Sequence, residues 1–189
     1  MTTPLKPTFF RCVYADAQKF MSYRGRCPAW IYWLILLFLT PGFQLVLSIR
    51  IQRALARIPL IGKFLRRVLW YCTTIYFNCD IDPHAVFGPG LYMPHPQCIV
   101  IGGECECGSD VVILQGVTIG RRSSPDERVR LMDNVGISAG AKVIGNITLG
   151  TGARVGANSV VLKDVPDYHI AVGVPARMLP PKSERTEVD

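Results

Sequence analysis

Between Ile81 and Val161 an apolar residue returns at every sixth position. The series runs Ile81, Phe87, Met93, Ile99, Cys105, Val111 and Val117. It breaks across Arg121-Arg-Ser-Ser-Pro-Asp-Glu-Arg-Val-Arg130 and resumes at Leu131, Ile137, Val143, Leu149, Val155 and Val161. A period of six fits neither an α-helix nor an alternating strand. It predicts a parallel β-helix in which three short strands form a triangular coil of about eighteen residues, each sixth side chain stacking on its equivalent in the next coil. Glycines after Phe87, Leu149 and Val155, with Ala85, Ala141, Ala153 and Ser159, suit tight corners. Coils of this type wind left-handed, against the usual right-handed crossover. Val117 to Leu131 is two hexads plus two, so residues 121–130 are expected as a loop extruded from one coil.

The first part of the chain has a different pattern. No charge falls between Arg26 and Arg50, a run long enough on paper to cross a bilayer. Thr40-Pro41-Gly42 divides it, and Thr40 followed by Pro41 is a helix start signal. Each piece is too short to span alone, and no small-residue cleavage site follows. Arg50, Arg53 and Arg57 recur at helical spacing as a cationic stripe. Leu60 to Tyr71 again mixes apolar residues with Lys63, Arg66 and Arg67. Such helices suit the headgroup region of an anionic membrane face; an oligomer contact and a true span are the other readings. The chain thus divides into a helical segment (1–79), a β-helix domain (80–172) and a C-terminal extension with a loose tail (173–189). The fold class is mainly β: a left-handed parallel β-helix of hexapeptide repeats behind an apolar, basic α-helical segment.

Charge sharpens this division. The chain has 189 residues and a formal net charge of +7. Residues 1–79 carry +10, with Asp16 as their one acid, while residues 80–189 carry −3. The basic residues lie among long apolar runs with no recognition motif, so nucleic acid is not an expected partner. Seven cysteines include no CxxC pair, which points to a reducing, cytosolic compartment. The three histidines lack clustered metal-ligand spacing, and no metal is expected.

Several stretches resemble the serine acetyltransferases. They include Asp80-Ile-Asp-Pro-His84, Phe87-Gly-Pro-Gly-Leu-Tyr-Met-Pro-His95, Ile113-Leu-Gln-Gly-Val-Thr-Ile-Gly120, Ala139-Gly-Ala-Lys-Val-Ile-Gly-Asn146, Gly156-Ala-Asn-Ser-Val-Val161 and Ala171-Val-Gly-Val-Pro-Ala-Arg177. The resemblance covers residues 79–179, and Pro41-Gly-Phe-Gln44 resembles the helix that precedes the β-helix in that family. It implies acetyl transfer from acetyl-CoA to a hydroxyl without an acyl-enzyme. His95 falls on the general base and Asp80 on the carboxylate that orients it. The assignment is chemically reasonable, because a hydroxyl needs a proton acceptor as it attacks and imidazole titrates near neutrality. The two residues are fifteen apart, so the period alone does not stack them. The resemblance further implies a homotrimer, or a multiple of it, with pantetheine between neighbouring β-helices, at Gly120, Ala139, Gly140 and Ala157. Lys142, Lys163 and Arg177 are then candidates for the phosphates. His84 and His169 are expected to be surface or corner residues.

The departures from the family concern the acceptor. Pro94 stands where an aspartate commonly helps hold the serine amino group. Glu127-Arg128-Val129 stands where the loop commonly carries Arg-His-Pro. Arg121, Glu127 and Arg128 are therefore the acceptor candidates, and a changed acceptor is expected. The first expectation is an O-acetyltransferase acting on a sugar of a surface polysaccharide or lipid-linked glycan, peripheral on the cytosolic membrane face. Serine O-acetylation is the alternative, and a membrane-bound β-helix scaffold without turnover is a third reading from another class.

Overall fold

The computed structural model describes residues 8–23 and 28–181. Arg24, Arg26, Cys27 and most of the polar tail lie outside the described residues. Four helices come first: α1 (Phe9–Ser22), α2 (Ala29–Leu39), α3 (Pro41–Leu55) and α4 (Ile61–Phe77). α3 begins at Pro41, whose missing N–H costs nothing in a first turn. The Thr40 hydroxyl does not cap α3; it donates back to the Ile35 carbonyl of α2 at 3.0 Å. α2 and α3 meet there at 83°, and among the described residues no single helix is long and apolar enough to cross a membrane.

The strands follow as β1 (Asp80–Ile81), β2 (Val86–Phe87), β3 (Val100–Ile101), β4 (Cys105–Cys107), β5 (Val112–Ile113), β6 (Thr118–Gly120) and β7 (Val129–Leu131). Then come β8 (Gly136–Ile137), β9 (Lys142–Ile144), β10 (Ile147–Leu149), β11 (Arg154–Val155), β12 (Val160–Val161), β13 (Ile170–Val172) and β14 (Arg177–Leu179). They stack as three faces of a parallel β-helix: β1-β3-β6-β9-β12, β2-β4-β7-β10 and β5-β8-β11-β13. β14 turns back antiparallel on β13 and ends the third face.

All thirteen residues of the six-residue series are buried. Each hexad in fact buries two side chains, two positions apart: Cys79 with Ile81, Ile99 with Ile101, Val117 with Ile119 and Val129 with Leu131. The sequence count passes from the second member of the pair to the first between Met93 and Ile99, and returns at Leu131. Register shows what this hides. Ile81 pairs with Ile101, a step of 20 residues, whereas Ile101 pairs with Ile119 at a step of 18. The first coil is two residues long in excess. The loop then adds six, since Ile119 pairs with Val143 at a step of 24. The extruded loop is also shorter than expected: Val129 and Arg130 belong to β7, where they pair with Cys105 and Glu106.

The cationic stripe does not face outward as the sequence suggested. Arg50 is buried, with Nε 2.8 Å from Asp16 Oδ2 and Nη2 3.0 Å from Oδ1. It also donates to the carbonyls of Phe87 at 2.7 Å and Gly88 at 2.6 Å, while Asp16 accepts from the Leu91 N–H at 2.9 Å. Arg53 reaches the same Phe87 carbonyl, leaving Arg57 as the exposed member. A lone buried charge is costly, so the pair must form together, and it pins α1 and α3 to the first coil.

Candidate active site

The two surplus residues of the first coil can be located from both sides. Tyr92 bridges Val112, which sets Pro94 level with Leu114. On the far side Gly116 N donates to the Gln97 carbonyl, as Gly140 N does to Gln115 and Asn158 N to Ala139 one and two coils on. Gln97 and Gln115 are therefore equivalent, and the surplus pair is His95-Pro96. Extra residues in a strand ladder commonly re-aim a side chain beside a functional site. Here Pro96 is buried and His95 is turned out to solvent.

The corner behind this bulge is a column of left-handed residues. Asn78, Cys98, Gly116, Gly140 and Asn158 have φ of 51°, 53°, 70°, 72° and 55°. At Gly140 a side chain would also collide with the Asn158 amide, so glycine is required twice over. His95 opens into a cavity of about 820 Å³ lined by Asn78, Gln97, Cys98, Gln115 and the aromatic end of α4, Tyr76 and Phe77. Pro41 completes the wall, and the adjacent Gly42 packs so closely on the Met93 carbonyl that no side chain fits. The start of α3 thereby supports the strand that leads to His95.

Asp80 lies on β1, opposite Val100 and two residues from Asn78, whose carbonyl accepts from the Cys98 N–H. Both Asp80 and His95 are exposed, and no hydrogen bond joins their side chains. The fold brings them to neighbouring positions of one corner without closing the dyad. Ala139 and Ala157 continue the column of Gln97 and Gln115 upward, next to Gly140. Lys142 projects from the first face, and its Nζ donates to the Gly116 carbonyl at 2.7 Å and to Thr118 Oγ1 at 3.0 Å. Lys142 therefore braces the corner. Lys163 is exposed after β12, and Arg177 is exposed on β14 beside a cavity of about 470 Å³.

The acceptor candidates lie elsewhere. Residues 121–128 leave the coil between the first and second faces, whereas His95 stands between the third and the first. One face thus separates them within a chain. Arg121 is ion-paired to Glu104 at 2.9 Å and Arg128 to Glu106 at 3.4 Å. Glu127 accepts from the Arg122 and Ser123 N–H groups, which hold its carboxyl below the usual range. His84 and His169 bond locally, to Asp82 and to the Asp167 carbonyl, away from the cavity. Among the described residues no group of three or more His, Cys, Asp or Glu is placed to hold a metal ion.

Sequence reasoning passed over Asn78, Cys98 and Gln115. The signal was present in the second buried position of each hexad, which exposes the surplus at His95-Pro96 once both positions are counted.

Coil, corner and cavity define a hexapeptide-repeat β-helix protein with an imidazole at a bulged corner. No family model matches the chain. It is 39% identical over 175 residues to the serine acetyltransferase of Haemophilus influenzae, covering 92% of this chain and 64% of that protein. It is 31% identical over 183 residues to the serine acetyltransferase of Bacillus subtilis, covering 96% and 82%. Among solved structures, Neisseria gonorrhoeae serine acetyltransferase in complex with serine superposes with a TM-score of 0.80 at 34% identity, over 90% of this chain and 69% of that one. A serine acetyltransferase complex with CoA superposes at 0.77 and 38% identity, over 90% and 69%. The chain belongs to the serine acetyltransferase family. It spans just under two thirds of the length of the Haemophilus protein. Coverage of 90% also means that the helical segment, and not the β-helix alone, is common to these structures.

Proposed function

We propose that the protein is an acetyl-CoA-dependent O-acetyltransferase with His95 as general base. The observation behind this reading is the bulge that turns His95 into the cavity at the corner continued by Gly140, Ala139 and Ala157. The imidazole takes the acceptor proton as its oxygen attacks the thioester carbonyl. The C–S bond then breaks, and the imidazolium returns the proton to the CoA thiolate. Asp80 orients the ring once the substrates close the corner. Pantetheine lies along the column beside Gly140, with Lys163 and Arg177 toward the phosphates.

Relatives named for serine support serine as acceptor over the sugar hydroxyl that the sequence put first. A second reading, a glycan hydroxyl, is favoured by Pro94 in place of a carboxylate and by Arg128 being held by Glu106. Mass spectrometry of protein, acetyl-CoA and L-serine decides between them. O-acetylserine is expected; its absence from protein that binds acetyl-CoA would return the search to sugars.

The face separating His95 from residues 121–128 supports a homotrimer, in which the loop of one copy meets the corner of the next. Light scattering should then give three times the chain mass of 21.0 kDa or a multiple of that, and a monomer that turns over would refute it. A peripheral place on the cytosolic membrane face is supported by the exposed Phe64, Tyr71 and Ile75 of α4 beside Lys63, Arg66 and Arg67. The burial of Arg50 and the helical segment common to the solved relatives count against it. Flotation with anionic vesicles tests it: protein left in the soluble fraction rejects the membrane.

A further inference from the structure

Gln115 is one of the polar residues lining the cavity that the transfer chemistry has not used. It stands one coil above Gln97, fixed by two main-chain bonds: its carbonyl accepts from Gly140 N at 2.8 Å, and its neighbour Gly116 donates to Gln97 at 2.9 Å. Its side-chain Oε1 is enclosed and has no hydrogen-bond partner among the described residues. Enclosing a carbonyl oxygen without a donor is costly. Gln115 itself lines the same cavity that His95 enters. The residue before His95, Pro94, offers neither a side-chain acceptor nor an N–H, so the acceptor's own donor groups must be met from another side of the cavity.

We propose that Gln115 is the specificity-determining residue for the acceptor. With the amide turned into the cavity, its side-chain carbonyl accepts a hydrogen bond from an N–H or O–H donor of the acceptor and so holds the reacting hydroxyl toward His95. The acceptor class this implies is a small polyfunctional alcohol with a donor, ammonium or second hydroxyl, close to the reacting oxygen. This rests on the acetyl-transfer reading and deepens it, and it does not depend on the identity of the acceptor.

The test compares wild type, Gln115→Leu and Gln115→Glu by initial rates with L-serine and acetyl-CoA. Leucine keeps the bulk and removes the acceptor; glutamate keeps the oxygen and adds charge suited to an ammonium. Gln115→Leu should raise the KM for serine by about tenfold or more, with the KM for acetyl-CoA unchanged and the melting temperature not lowered. Gln115→Glu should restore serine recognition. Unchanged serine KM in Gln115→Leu, or equal losses on both substrates, would overturn the proposal. If wild type makes no O-acetylserine, the serine reading fails separately. Gln115 is then judged with glycerol as acceptor, a small polyol whose second hydroxyl can donate to the same oxygen. A similar rise in the KM for glycerol in Gln115→Leu, with acetyl-CoA binding intact, supports the proposal, and an unchanged KM overturns it.

Discussion

The side chains around the corner divide by what holds them. His95 stands on a bulge and is left open, whereas Lys142, which as bare sequence looks equally available, donates into the coil and Arg128 is ion-paired to Glu106 at the surface. Glu127 is a further case. Two main-chain N–H groups favour its charged form, so its carboxyl titrates below the ordinary 4.5. A depressed carboxyl contributes order that is complete above the unfolded value and is lost as pH falls through the folded one. Amide exchange of residues 122 and 123 should therefore stay slow as pH drops past 4.5 and quicken only below it. Glu127→Gln should quicken it at neutral pH as well, and equal exchange in both proteins would show that the carboxylate does not hold the loop.

Among the elements, the β-helix was legible because a period of six has few structural solutions. The corner was not, because Ile99, Cys105, Val111 and Val117 satisfy the same count from the other inward position. The slip at His95 and the two-residue remainder at the loop cancelled in the tally. The helices were legible as helices, Pro41 marking α3, but their orientation was not. Arg50, Arg53 and Arg57 read as a stripe for an anionic surface, and the partner that reverses this, Asp16, is 34 residues away in sequence. Burial pushes the Asp16 carboxyl up while Arg50 pulls it down, so each charge depends on the other. Asp16→Ala, which strands Arg50, should cost about 3–5 kcal/mol. The double variant Asp16→Leu/Arg50→Met should cost less than Asp16→Ala alone. Chemical denaturation of the three proteins checks this, and a near-neutral Asp16→Ala would mean that the helices are not pinned through this pair.

For the molecule as a whole, helices and coil form one device. α1 and α3 close the open end of the first coil through Asp16 and Arg50, and Gly42 lets α3 lie against Met93. α4 supplies the aromatic wall facing His95. The single chain still keeps residues 121–128 and its imidazole on opposite edges of the first face, which is why assembly belongs to the functional reading. The most direct test is single-turnover acetyl transfer to L-serine, followed by mass spectrometry in wild type and His95→Ala, with acetyl-CoA binding measured in both. Loss of general-base catalysis is worth about 10²–10⁴ in rate, and a fall of that size with binding retained is expected. Product formed at the same rate by both proteins would contradict it.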